Sequence, residues 1–151
     1  MEWSRGAFSI STDPGRLDRE LIHRFLSTSY WAPKVPRAIV DRSIDNSMPF
    51  GLYEGAAQVG FARVITDRAT FAYLADVFVL DSHRGRGLAL WLMETIRAHP
   101  ELQGLRRWTL FTRDAHPLYR KVGFKDIEND PPRCMEIIDR GIYERATGHG
   151  T

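Results

Sequence analysis

Residues 77–92 read VFVLDSHRGRGLALWL, and the fold turns on how this stretch is parsed. An apolar run rich in β-branched and aromatic residues ends at Leu80, a polar turn follows, and Arg84-Gly85-Arg86-Gly87-Leu88-Ala89 opens an apolar-striped segment. That pattern predicts a strand, a glycine-bearing turn and a helix from about Arg86 to His99, with Leu88, Leu92 and Ile96 on one side and Pro100 as its stop. A further strand-like run, RRWTLFT (106–112), follows it. Strand, helix and strand form one βαβ unit, which requires a parallel, right-handed crossover.

Working outward, three strand-like runs precede this unit: MPFGLYE (48–54), QVGFARVIT (58–66) and TFAYLADVFVL (70–80). Short polar connections at Glu54-Gly55 and Asp67-Arg68 join them as antiparallel hairpins. Earlier, FSIST (8–12) reads as a short strand, and Asp13-Pro14 as an N-cap with proline at the first helical position. Leu17, Leu21 and Phe25 give that helix an apolar stripe. TSYWAPKVP is irregular because Pro33 and Pro36 break helices, and Pro36 opens a second helix in which Val40 and Ile44 share a face. Downstream, Ala115 to Val122 reads as a short helix ended by Gly123, and CMEII (134–138) as a last strand. The expected architecture is α/β, a mixed sheet of about six or seven strands flanked on both faces by about four helices.

Composition frames the possible functions. The 151 residues suit one domain over 1–151, and 43% hydrophobic with 26% charged residues is ordinary for a globular chain. Lys and Arg total 21 against 19 Asp and Glu, a balance that speaks against a nucleic-acid partner. The opening MEWSRGAFSI does not read as a secretory signal, and no apolar run approaches the ~18 residues of a membrane span, so no membrane partner is expected. Cys134 is the one cysteine, which rules out an intrachain disulfide and fits a reducing, cytoplasmic setting. It lies in a strand-like run with no local base, so a buried apolar role is expected for it. The histidines make no ligand spacing with one another or with Cys134, so no metal is expected.

Gly85 and Gly87 admit two readings. They let an anionic ligand approach unpaired first-turn N–H groups, where the helix dipole and the two flanking arginines favour a phosphate or diphosphate, or they merely permit a tight turn. Neither a dinucleotide fingerprint nor a Walker loop fits, because Leu90 stands where the third glycine should be and no G-x-x-x-x-G-K-[ST] run exists.

The run Arg84 to Ala89 matches the [QR]-x-x-G-x-[GA] acetyl-CoA signature, and about thirty residues later HPLYRKVGF (116–124) resembles the second signature of the GCN5-related N-acetyltransferases, the GNAT superfamily. The resemblance covers nearly the whole chain and is strongest from Phe61 to Phe124. It implies an N-acetyltransferase that moves the acetyl group of acetyl-CoA to a primary amine by direct attack in a ternary complex. A non-catalytic acyl-CoA-binding domain on the same fold is the alternative. Implied cofactor contacts are the main chain of Val77, Phe78 and Val79, the loop Arg84, Gly85, Arg86, Gly87, Leu88 and Ala89, and Thr112 and Tyr119. Many family members carry Asn where this chain has Thr112.

Tyr119 resembles the family's general acid for the departing thiolate, and an N–H near Phe78 or Val79 suits the oxyanion. Asp76 is the only charge inside FAYLADVFVL, costly to bury alone, and reads as a candidate base, although a bulge can equally turn it to solvent. Tyr73, Asp114 and His116 are its rivals, with Asp114 also a candidate cap for the Tyr119 helix. Tyr30, Trp31, Arg63 and Tyr73 are the candidate acceptor contacts, with Phe50 and Tyr53 further possibilities by position. Exposed edge strands leave a homodimer open.

Overall fold

The computed structural model describes residues 1–127 and 133–148. Strands β1 (Glu2–Arg5), β2 (Phe8–Ser11), β3 (Met48–Glu54), β4 (Ala57–Thr66), β5 (Phe71–Val79) and β6 (Arg107–Thr109) lie in that order across one sheet. Each neighbouring pair is antiparallel except β5 and β6, which run parallel. The helices are α1 (Arg19–Ser27), α2 (Arg37–Asp45), α3 (Leu88–Arg97), α4 (His116–Arg120) and α5 (Ile142–Gly148). The mixed sheet flanked by helices agrees with the expected class, and α3 supplies the β5-to-β6 crossover.

Two apolar clusters mark the two faces of the sheet. Ile22 and Leu26 of α1 with Val40 and Ile44 of α2 bury against Phe61 and Phe78. Leu88, Leu92, Met93 and Ile96 of α3 bury against Phe50, Ala62, Val64, Leu74 and Val79. Each such side chain contributes roughly 1.5–3 kcal/mol relative to exposure. Alternation along β4 explains the split, since Phe61 and Ala62 must face opposite sides of a pleated strand.

Several boundaries depart from the sequence reading. The strand β1 was not anticipated; Trp3 is its one large apolar residue, and it packs against Phe50 and His99 at ring separations of 6.4 and 5.9 Å. Asp13 caps a single 3-10 turn (Pro14–Arg16), which ends at extended Leu17. The helix α1 begins instead after Asp18, whose carboxylate accepts the Leu21 N–H at 3.0 Å, and its buried stripe is Ile22 and Leu26 rather than Leu21 and Phe25. The third helix starts at Leu88 because Gly87 precedes it in the left-handed region, φ +73°. The strand over 106–112 contracts to three residues. CMEII forms no strand: residues 133–139 carry no ladder, and Cys134 is exposed rather than buried, with α5 following.

Gly51 illustrates how tightly the sheet is packed. A Cβ there would lie 2.6 Å from Cζ of Tyr53 and collide with its hydroxyl, and Tyr53 is only 1% exposed, with the Arg16 guanidinium 4.3 Å from its ring centre. The ring has nowhere to go. Gly51→Ala is therefore expected to destabilise the protein by about 1–3 kcal/mol, measured as a lower urea midpoint with an unchanged slope.

Candidate active site

Parallel pairing of β5 with β6 lasts only from Phe71 to Tyr73 and from Arg107 to Thr109. Beyond that point the chains separate, and residues 74–79 face residues 110–115 across a cleft of about 720 Å³. Val77, Phe78, Val79, Arg84, Ala89, Thr112 and Tyr119 border it, as do Tyr30, Trp31, Arg63, Tyr73 and Asp76. Gly85, Arg86, Gly87 and Leu88 are outside this lining; Leu88 is a core residue, 3% exposed.

The loop leading into α3 is shaped by backbone conformation. Gly85 and Gly87 have φ +77° and +73°, and a Cβ on either would meet no atom within 4 Å. Glycine is thus required for the path of the chain, and the space before the helix stays open. The first intrahelical bond shown there is from the Trp91 N–H to Gly87 O, 3.1 Å, which leaves the preceding N–H groups without helical partners. Arg84 bonds to Asp81, 3.0 Å, and Arg86 lies 3.9 Å from Glu54.

Asp76 sits at a break in strand register. Phe61 opposes Phe78 but Arg63 opposes Ala75, so β5 carries one extra residue, and Asp76 takes φ +56°. Asp is among the few non-glycine types that tolerate this region. The extra residue reverses the side-chain alternation: Ala72, Leu74 and Val79 all reach the α3 face, while Phe78 reaches the α1 face. The Asp76 carboxylate accepts from Trp31 Nε1 at 3.0 Å and from Arg63 Nε at 2.5 Å, and Arg63 Nη1 donates to Ser47 Oγ at 3.1 Å. It is therefore neither turned to bulk solvent nor unpartnered. The main chain follows the same logic. The Leu80 N–H bonds back to Val59 O at 2.8 Å, so by alternation the Val79 N–H turns towards the cleft.

On the opposite bank, Thr112 Oγ1 accepts the Ala115 N–H at 3.0 Å and so closes the turn that precedes α4. Tyr119, one turn along, is 9% exposed, and burial pushes its hydroxyl up to about 12. Tyr30 accepts the Arg113 N–H at 3.0 Å while the Arg113 guanidinium lies 3.9 Å from its ring centre. Tyr73 is also raised above the usual phenol value, chiefly by burial and then by the charge of Asp76.

Other candidates are placed differently. Phe50 and Tyr53 are core residues, 0% and 1% exposed, and are absent from the cleft. Asp114 does not cap α4; it pairs with Arg113 at 3.6 Å. His116 borders a smaller hollow of about 280 Å³ on the far side of Tyr119. Phe25, Phe111 and Arg113 border the cleft without having been singled out. Phe25 carried only a core-stripe signal, and nothing in the sequence marks the other two. Among the described residues, no three His, Cys, Asp or Glu side chains group as a metal site, and no helix is long and apolar enough to cross a membrane.

An acetyltransferase (GNAT) domain model matches residues 45–126, the span from the end of α2 to just beyond α4. The chain belongs to the GNAT acetyltransferase family. It is 35% identical over 148 residues to a Gibberella zeae protein bearing an acetyltransferase designation, with 82% of each chain covered. A GNAT-family crystal structure from Xanthomonas campestris pv. campestris superposes with a TM-score of 0.86 at 52% identity, covering 90% of this chain and 96% of that one. A Clostridium acetobutylicum structure with acetyl-CoA shares the fold at 14% identity, TM-score 0.62, over 91% and 96% of the two chains.

Thr112 offers a direct check on how the second bank is built. Thr112→Val keeps the shape and removes the bond to Ala115, so a loss of about 0.5–1.5 kcal/mol is expected in urea unfolding, with local amide exchange at Ala115 accelerated.

Proposed function

We propose that the chain acts as one N-acetyltransferase domain over residues 1–151, passing the acetyl group of acetyl-CoA to a primary amine by direct attack within a ternary complex. The observation that carries this reading is the cleft between the parted strands, with open, glycine-determined space before α3 near one end and the buried Tyr119 on its wall. The diphosphate fits the unpartnered N–H groups before α3, with Arg84 and Arg86 beside it, because nothing crowds Gly85 or Gly87. The pantetheine amides then lie along Val77 to Val79 as an added strand would, with Phe78 packing beneath and Thr112 opposite.

The chemistry balances as follows. The amine lone pair forms the N–C bond at the thioester carbon while the carbonyl π electrons move to oxygen, where the Val79 N–H stabilises the charge. Collapse restores the carbonyl and breaks the C–S bond, and the sulfur takes a proton from Tyr119. The proton lost by the amine passes to Asp76 or a water held by it, and returns to the phenolate. Asp76 retains capacity for this, since a carboxylate has about four lone-pair sites and two are engaged by Trp31 and Arg63. A hydroxyl raised to about 12 stays protonated across the whole neutral range and is available as the donor. The single cysteine suits a reducing, cytoplasmic setting.

Calorimetry with acetyl-CoA should give saturable heat, and thiol release should follow addition of an acceptable amine. Tyr119→Phe is expected to lower kcat by about 10²-fold while leaving the acetyl-CoA Kd nearly unchanged. Because loss of the phenolic proton abolishes the donor, the wild-type alkaline limb assigned to Tyr119 should lie close to pH 12, well above that of an ordinary phenol. Binding without thiol release from any amine would favour the non-catalytic acyl-CoA-binding alternative, and absence of binding would reject both.

A further inference from the structure

Among the described residues, the cleft is lined by two runs of aromatic rings and by charges that each have an opposite partner. On the β5 side, Phe78 stacks on Phe25 at 4.0 Å between ring centres, Phe25 lies 6.4 Å from Trp31, and Trp31 lies 5.1 Å from Tyr30. Tyr73, also of β5, lies 6.1 Å from Phe111 of the facing segment. All six rings border the cleft. Its charged residues are Arg63, Asp76, Arg84, Arg113 and Asp114, and each stands beside an opposite charge: Arg63 with Asp76, Arg84 with Asp81, and Arg113 with Asp114.

These pairs differ in how readily they yield. The Arg84 and Arg113 pairs are well exposed and easily exchanged for a ligand. The Arg63–Asp76 pair is 15% and 10% exposed, and opening it would strand a charge inside the protein. A polyamine needs several carboxylates, whereas the deep carboxylate, Asp76, shared with Arg63 and Trp31, has room for a single amine. A phosphosugar or amino acid needs a spare guanidinium deep in the cleft and meets Arg63 already paired. A body with a π face or an aliphatic surface meets complementary walls instead.

Resting on the acetyltransferase reading above, we propose that the acceptor is a monoamine carried on an aromatic or aliphatic body, held between Trp31 and the Tyr73–Phe111 pair with its nitrogen towards Asp76. The closed Arg63–Asp76 pair discriminates against polycationic and anionic acceptors. Trp31 contributes its ring face to the body of the acceptor while its Nε1–H holds Asp76 in place. Phe111, 74% exposed, is the rim residue that the bound acceptor would cover.

The test uses the intact chain with acetyl-CoA and four acceptors: 2-phenylethylamine, spermidine, glucosamine 6-phosphate and glycine. The proposal expects kcat/KM for 2-phenylethylamine to exceed each of the others at least about tenfold. Phe111→Ala and Trp31→Ala should each raise the KM for 2-phenylethylamine about tenfold, with the KM for acetyl-CoA unchanged. Trp31→Phe, which keeps a ring and loses only the bond to Asp76, should recover most of that KM. Both side chains are partly exposed, so their removal tests binding more than folding. Preference for spermidine, the phosphosugar or glycine overturns the acceptor assignment while leaving the acetyltransferase reading intact. Acetyl-CoA binding with no turnover of any of the four also overturns it, and failure to bind acetyl-CoA overturns the two together.

Discussion

The extra residue in β5 is the constraint on which the rest of the molecule depends. Without it, the alternation that sends Ala72 and Leu74 to the α3 face would send Phe78 there as well, and Val79 to the other. The left-handed turn at Asp76 resets the count, so that a single strand serves both apolar clusters. It also aims a carboxylate at Arg63 and Trp31, which keeps a charged group tolerable inside the sheet. A local backbone cost of roughly 1–3 kcal/mol is thereby offset by an ion pair, an indole hydrogen bond and the packing of Phe78 on Phe25.

The second determinant is the early parting of β5 and β6. Three paired residues are enough to fix the crossover through α3, and the divergence beyond them leaves main-chain groups of Val77 and Val79 without a neighbouring strand. An open edge of this kind is usually a liability. Here it faces a cleft, and the turn held by Thr112 precedes α4, whose Tyr119 borders the other side. Burial of the Tyr119 hydroxyl keeps its proton in place.

Much of this was legible in the residues, for identifiable reasons. The β3 to β5 hairpins and α3 announce themselves because their apolar periods are long and their turns are marked by glycine, Asp and Arg. Asp76 stood out as one carboxylate in an apolar run, yet its partners could not be read, since Trp31 and Arg63 are 45 and 13 residues away. The β1 strand was hidden because Trp3 alone carries no period and its partner is Ile10 across a hairpin. CMEII has the right residue types for a strand, but β propensity without a ladder partner decides little. Thr112 departs from the family pattern; its bond to the Ala115 N–H joins a hydroxyl to an amide three residues on, which becomes visible only once the turn is built.

Tyr30 and Trp31 are consecutive, yet one bonds to Arg113 on the far bank and the other to Asp76 on the near one. A single peptide unit is thus a tie-rod between two walls that the sheet itself no longer joins. The gauge of the passage is set less by the strands than by the short connection from α1 to α2, whose Pro33 and Pro36 stiffen it. Lengthening or loosening that connection would change which molecules can enter without altering any side chain that touches them.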